Sequence, residues 1–315
     1  MSINALLDVT LAVPDPETLA RFWQRHGLCR AGDVLGTVDR PVQMRLVEGP
    51  YRHLARLHLG CAAESDLVET AARLDALGLR ATIAGTTLTC ADPVFDHEVV
   101  VEVASAASVP CVPARASNGP GRLDRLGIRA DVMTEVEPRP PRRLGHVVLG
   151  TPHVSEACAF YLDGLGFRVS DRILDGVLTF ARVEADHHNL LIQPAATSYL
   201  NHYAFEMDDF DAIGAAGTSV LRETPDAHVV GPGRHALGSN LFWYLFDPAG
   251  NMFEFFADMD QITDDAAWNV DQRRDDWTPD EVGLAVWGPL EPPEVFFEPP
   301  DLAAIGAARE AAGRR

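Results

Sequence analysis

Three polar residues sit where the surrounding pattern calls for apolar ones. His146 lies in RLGHVVLG, His202 in LNHYAFEM and Glu254 in NMFEFFAD. Strand side chains alternate between faces, so Met252, Glu254 and Phe256 share one face while Phe253 and Phe255 take the other. Both faces read as buried. An unpaired carboxylate there costs several kcal/mol or protonates, so Glu254 needs a cation, a set of donors or a metal. Each histidine alone reads more simply as a hydrogen-bonded core or edge residue. Together, two neutral imidazoles and one carboxylate form the set that holds Fe(II) or a related divalent ion and leaves other positions open.

Four further residues surround that set. His187 and His188 adjoin in EADHHNLLIQP and point to opposite faces, so at most one aims at the site. His235 lies in the Gly-rich GPGRHALGSN, where the simpler reading is a solvated loop residue. Tyr244 lies in LFWYLFDPAGN, and folding that hairpin about Ala249 sets it opposite Glu254 on the same face.

The elements that position these residues occur twice. LLDVTLAVPDPETLARFWQRHGLCR (6–30) and LGHVVLGTPHVSEACAFYLDGLGFR (144–168) align without gaps at an offset of 138. Each reads as strand, Pro-containing turn, then a helix ending near Gly. A second strand–helix unit follows each copy, and the halves close at DPVFDHEVVVEVAS and DPAGNMFEFFAD. Two α+β domains are expected, at 1–105 and 143–262, with a linker at 106–142 carrying a short helix at 121–127 and a tail at 263–315. Trp268, Trp277 and Trp287 argue that the tail packs on the body, with a terminal helix from about Asp301. The first copy is a control: Asp8 stands where the second has His146, and Val99 where it has Glu254. A purely structural need for these polar groups would appear in both halves.

Composition narrows the function classes. A net charge of −20 over 315 residues, 47% of them hydrophobic, suits a soluble protein with a large core and opposes binding to nucleic acid or an anionic membrane. No apolar run approaches the roughly 20 residues of a transmembrane helix, and MSINALLDVT lacks the features of a signal peptide. The five cysteines are scattered without CxxC spacing, which argues against a disulfide framework or a zinc–thiolate site. A reduced cytoplasm is expected.

LGHVVLG, HHNLL, LNHYAFEMDD and GPGRHALGSNLFWYLFDPAGNMFEFFAD resemble the type I extradiol ring-cleavage dioxygenases of the vicinal oxygen chelate superfamily. The resemblance implies two βαβββ modules per domain, curled around a cavity, with the metal in the C-terminal domain. It implies that His146, His202 and Glu254 ligate Fe(II), with Mn(II) equally suited to these ligand types. It further implies that His187 is the acid–base residue, chosen over His188 on the family's paired-residue pattern, and that His235 and Tyr244 hydrogen-bond the bound substrate. The implied reaction opens a catechol beside the diol with O2, in a protein assembled from several subunits. The rivals are a glyoxalase-like isomerase or epimerase on the same fold, and a binding protein for aromatic compounds. Val148, Phe180, Leu191, Phe205 and Phe242 suggest an aromatic, largely uncharged substrate. Arg273 or Arg274 could meet a substrate carboxylate, although a solvated charge cluster is the simpler reading.

Overall fold

The computed structural model describes residues 3–37, 39–105, 112–130, 139–271, 277–278 and 281–314. Arg273 and Arg274 lie outside the described residues. The first half runs β1 (Ile3–Val13), α1 (Pro16–Arg25), β2 (Cys29–Ala31), β3 (Val34–Gly36), β4 (Met44–Glu48), β5 (His53–Cys61), α2 (Glu64–Ala76), β6 (Ala81–Ala84), β7 (Thr87–Ala91) and β8 (Glu98–Val103). Its eight strands form one sheet in the order β2-β3-β4-β1-β5-β8-β7-β6. β1 pairs parallel with β4 and β5 parallel with β8, while β1 and β5 meet antiparallel at the centre. The sheet is thus two βαβββ modules joined edge to edge.

Residues 121–127 form no helix. A small hairpin, β9 (Asn118–Gly119) with β10 (Arg122–Leu123), occupies this stretch instead. Pro120 and Gly121 make its turn, and Asn118 Oδ1 accepts from Arg125 N at 2.9 Å, diverting the backbone from a helical path.

The second half repeats the first: β11 (Arg143–Thr151), α3 (Val154–Cys158), β12 (Arg168–Ile173), β13 (Leu178–Arg182), β14 (Leu190–Pro194), β15 (Tyr199–Glu206), α4 (Phe210–Glu223), β16 (His228–His235), β17 (Leu241–Phe246) and β18 (Met252–Ala257). The order β12-β13-β14-β11-β15-β18-β17-β16 matches the first sheet strand for strand, and β19 (Ala285–Trp287) from the tail extends it beside β16. The tail also supplies α5 (Asp265–Asp271), α6 (Glu294–Phe297) and α7 (Leu302–Ala311). α7 docks through Leu302 and Ile305 on Tyr199, while Arg52 pairs with Asp301 and Arg309 with Asp96. Among the described residues no helix is long and apolar enough to cross a membrane.

Alternation along β15 and β18 separates two environments. Tyr203, Phe205, Phe253 and Phe255 face a core shared by both halves, where Trp23 of α1 meets Phe205 and Phe253 with ring centroids 4.9 Å apart. His202 and Glu254 face the other way. Phe205 therefore does not border the substrate space, as its apolar character had suggested: it shares the odd-numbered face with Tyr203.

Candidate active site

His146 comes from β11, His202 from β15 and Glu254 from β18, three adjacent strands at the centre of the second sheet. All three are buried, and one ligand atom from each lies within 4.8 Å of the others. His146 Nε2 is 2.8 Å and His202 Nε2 3.6 Å from the same oxygen, Glu254 Oε2. Burial alone would raise the Glu254 carboxyl. The imidazole of His146 outweighs it and holds the group well below the usual carboxylate range.

The donor set fits a divalent cation. His202 Nδ1 donates to Asn201 Oδ1 at 2.7 Å, which leaves the lone pair of neutral His202 on Nε2. That nitrogen is buried and finds no hydrogen-bond partner among the described residues. Burial pushes the His202 imidazole down to about 4, so the ring is neutral and ready to ligate. A buried lone pair aimed at a buried carboxylate is repulsive unless a cation lies between them. His146, His202 and Glu254 would hold Fe(II) or Mn(II), whose preferences this nitrogen and oxygen set satisfies.

Tyr244 stands directly opposite Glu254 in the β17–β18 register, the pairing expected from folding about Ala249. Its hydroxyl lies 2.8 Å from His235 Nε2. His235 Nδ1 donates to the Leu284 carbonyl at 2.8 Å, which leaves Nε2 to accept a hydrogen bond from the Tyr244 hydroxyl. Burial and then Glu254 raise the Tyr244 phenol well above its usual range and keep it protonated. Phe242 does not line the cavity. It stacks on His235 at 4.1 Å and fixes that ring.

His187 and His188 divide differently from the expectation. His188, not His187, lines the cavity, its ring 4.4 Å from that of His146. Burial, with His146 and His187 beside it, holds the His188 imidazole well below its usual range. His187 turns away, with Nε2 2.7 Å from Asp171 Oδ2 and Nδ1 3.1 Å from His188 Nδ1. The segment before β14 is irregular, and the His187 backbone N–H is tied to the Asp260 carbonyl at 2.8 Å, which sets the ring's direction.

Over the metal ligands opens a cavity of about 460 Å³. Val148, Phe180 and Leu191 wall it from the sheet, and Leu284, Leu290 and Phe296 from the tail. Among the described residues no Lys or Arg lines it, and Glu291 sits exposed at its rim. Asn201 and Asn240, which donates to Glu254 Oε1 at 2.9 Å, were not singled out from sequence. Asparagines in strands and at their ends are common, and only the contacts with His202 and Glu254 distinguish these two.

Residues 143–255 match the Glyoxalase/Bleomycin resistance protein/Dioxygenase superfamily. The chain belongs to that superfamily and, within it, to the extradiol dioxygenases. It is 32% identical over 314 residues to metapyrocatechase 2 of Cupriavidus necator, covering 94% of this chain and 92% of that protein. A shorter match, 31% over 137 residues, covers 39% of this chain and 45% of an iron-dependent extradiol dioxygenase of Rhodococcus jostii. In fold it is similar to the Mn(II)-bound glyoxalase from Novosphingobium aromaticivorans, with a TM-score of 0.70 at 21% identity over 94% of this chain and 97% of that one.

Proposed function

We propose that this enzyme opens the ring of an uncharged, apolar-substituted catechol beside its diol, consuming O2. The observation that carries the reading is the buried His146–His202–Glu254 set beside an apolar cavity that His202 lines together with His188, His235 and Tyr244. A bound Fe(II) or Mn(II) supplies Lewis-acid activation of the diol and a common site at which diol and O2 exchange electrons.

The chain's own groups do the rest. His188 Nε2 takes a proton from the substrate hydroxyl and returns one later in the cycle, as general base and then acid. Tyr244 turns its hydroxyl from His235 to a substrate oxygen and steadies charge developing there, and His235 positions that hydroxyl beforehand. Val148, Phe180 and Leu191 hold the ring and exclude water. Gln193 lines the same cavity, is almost fully buried, and its Nε2 has no partner among the described residues. It offers a donor to a neutral oxygen on the substituent. A carboxylated substrate would meet no cation among the described lining residues and the Glu291 carboxylate at the rim.

The same reading divides the chain into a non-catalytic half at 1–105, a linker at 106–142, a catalytic half at 143–262 and a tail at 263–315. It places the enzyme in the cytoplasm as a homo-oligomer. The test is O2 uptake and visible absorbance by Fe(II)-loaded protein with catechol, methylcatechols, a biphenyl diol and a carboxylated catechol. Alkyl and aryl diols should lead in kcat/KM. A preference for the carboxylated diol would contradict the proposed substrate class.

A further inference from the structure

Behind His188 runs a chain of buried polar groups that the reaction itself does not require. Asp171, on β12, is almost fully buried. Its Oδ2 lies 2.7 Å from His187 Nε2, and its Oδ1 accepts from Trp277 Nε1 at 3.3 Å. His187 Nδ1 in turn lies 3.1 Å from His188 Nδ1. None of these contacts touches the cavity, yet each constrains the next.

We propose that Asp171 is a positioning residue that acts through His187 to hold His188 in a single tautomer, with the Nε2 lone pair turned to the substrate. A carboxylate only accepts, so His187 Nε2 carries a proton. Neutral His187 then has its lone pair on Nδ1, and the 3.1 Å contact requires His188 Nδ1 to be the donor. Neutral His188 is left with its lone pair on Nε2, on the side away from His187. When Nε2 accepts the hydroxyl proton, the electron pair of the broken O–H bond stays on the substrate oxygen. The imidazolium so formed donates from Nδ1 to His187, whose Nε2–H remains on Asp171. The buried carboxylate thus offsets the new charge through one intervening ring.

The role assigned to His188 rests on the ring-cleavage reading, but the tautomer does not, and the experiment separates the two. Full-length protein labelled with 15N-histidine and loaded with diamagnetic Zn(II) would be examined by long-range 1H–15N NMR. His188 and His187 are assigned by H188Q and H187Q. The proposal requires His188 protonated on Nδ1 and His187 on Nε2. Asp171→Asn should reverse both, because Trp277 Nε1–H keeps the carboxamide oxygen on its own side and turns the NH2 toward His187. In the Fe(II)-loaded enzyme D171N should lower kcat by about 10²-fold or more with little change in KM, and Asp171→Glu should restore the wild-type tautomer. His188 protonated on Nε2 in the wild-type protein would overturn the proposal, and that spectrum decides even if D171N does not fold. The expected tautomers without ring cleavage of any diol would leave the relay standing and overturn the functional reading.

Discussion

Trp23, on a helix of the first half, donates its indole N–H to the hydroxyl of Tyr203, 3.0 Å away, and Tyr203 directly follows His202. Tyr203 passes the hydrogen bond on to Asp247 Oδ2 at 2.8 Å, at the turn that leads into the strand of Glu254. The half without metal ligands therefore braces the strands that carry them. Trp23→Ala should destabilise the fold by about 3–5 kcal/mol, the usual cost of emptying a large aromatic site. Trp23→Phe, which forfeits the hydrogen bond and part of the ring, should cost less. Urea unfolding followed by circular dichroism measures both. Near-wild-type stability of the alanine variant would mean that the two halves stand independently.

Asn201 fixes the ligating tautomer of His202 by accepting from its Nδ1. Asn201→Leu should weaken metal binding by about 10–100-fold, the usual effect of losing a hydrogen bond that orients a ligand. Asn201→Asp keeps an acceptor and should bind metal more tightly than the leucine variant. Metal titration with a competing chelator reads the difference.

Tyr244→Phe removes the hydroxyl that donates to His235 while leaving the ring against Phe296 and His202. Metal content should be unchanged and kcat should fall by about 10²–10³-fold, the scale for losing one well-placed donor. Steady-state kinetics alongside metal analysis distinguishes this from loss of the ion.

Metal-free protein should lose stability as pH falls from about 6.5 toward about 4. Burial depresses the folded-state value of His202 from 6.5 to about 4, so across that window the unfolded chain binds a proton that the folded chain does not. His188, also depressed by burial, acts in the same direction. Each contributes on the order of 1 kcal/mol per pH unit while it remains unprotonated in the fold. Glu254, held low by His146, keeps its charge through the window and loses its contribution only in stronger acid. Denaturant unfolding at a series of pH values checks the sign: stability must rise with pH over this range.

The metal ligands and the repeated modules could be read from sequence because strand alternation is a strict rule. Glu254 between Phe253 and Phe255 had to share a face with Met252 and Phe256, and it does. For the His187–His188 pair the expectation that at most one aims at the site agrees with the structure, since only His188 lines the cavity. The choice of His187 came from the family's paired-residue pattern, which does not fix which ring faces the site where residues 183–189 lie outside regular strands. Phe205 was misplaced for a different reason. Apolar character alone does not say whether a residue faces a ligand or the other half of the molecule, and here Trp23 covers it. The contributions of Leu284 and Phe296 depend on how the tail folds back over the second sheet, which no local pattern encodes.

The most direct test of the account is anaerobically purified, Fe(II)-loaded protein given 3-methylcatechol in an oxygen electrode with parallel absorbance, wild type beside Glu254→Ala. The account predicts O2 and diol consumed in equal amounts by the wild type, a yellow ring-fission product, and neither bound iron nor turnover in E254A. Bound iron and full turnover in E254A would contradict it.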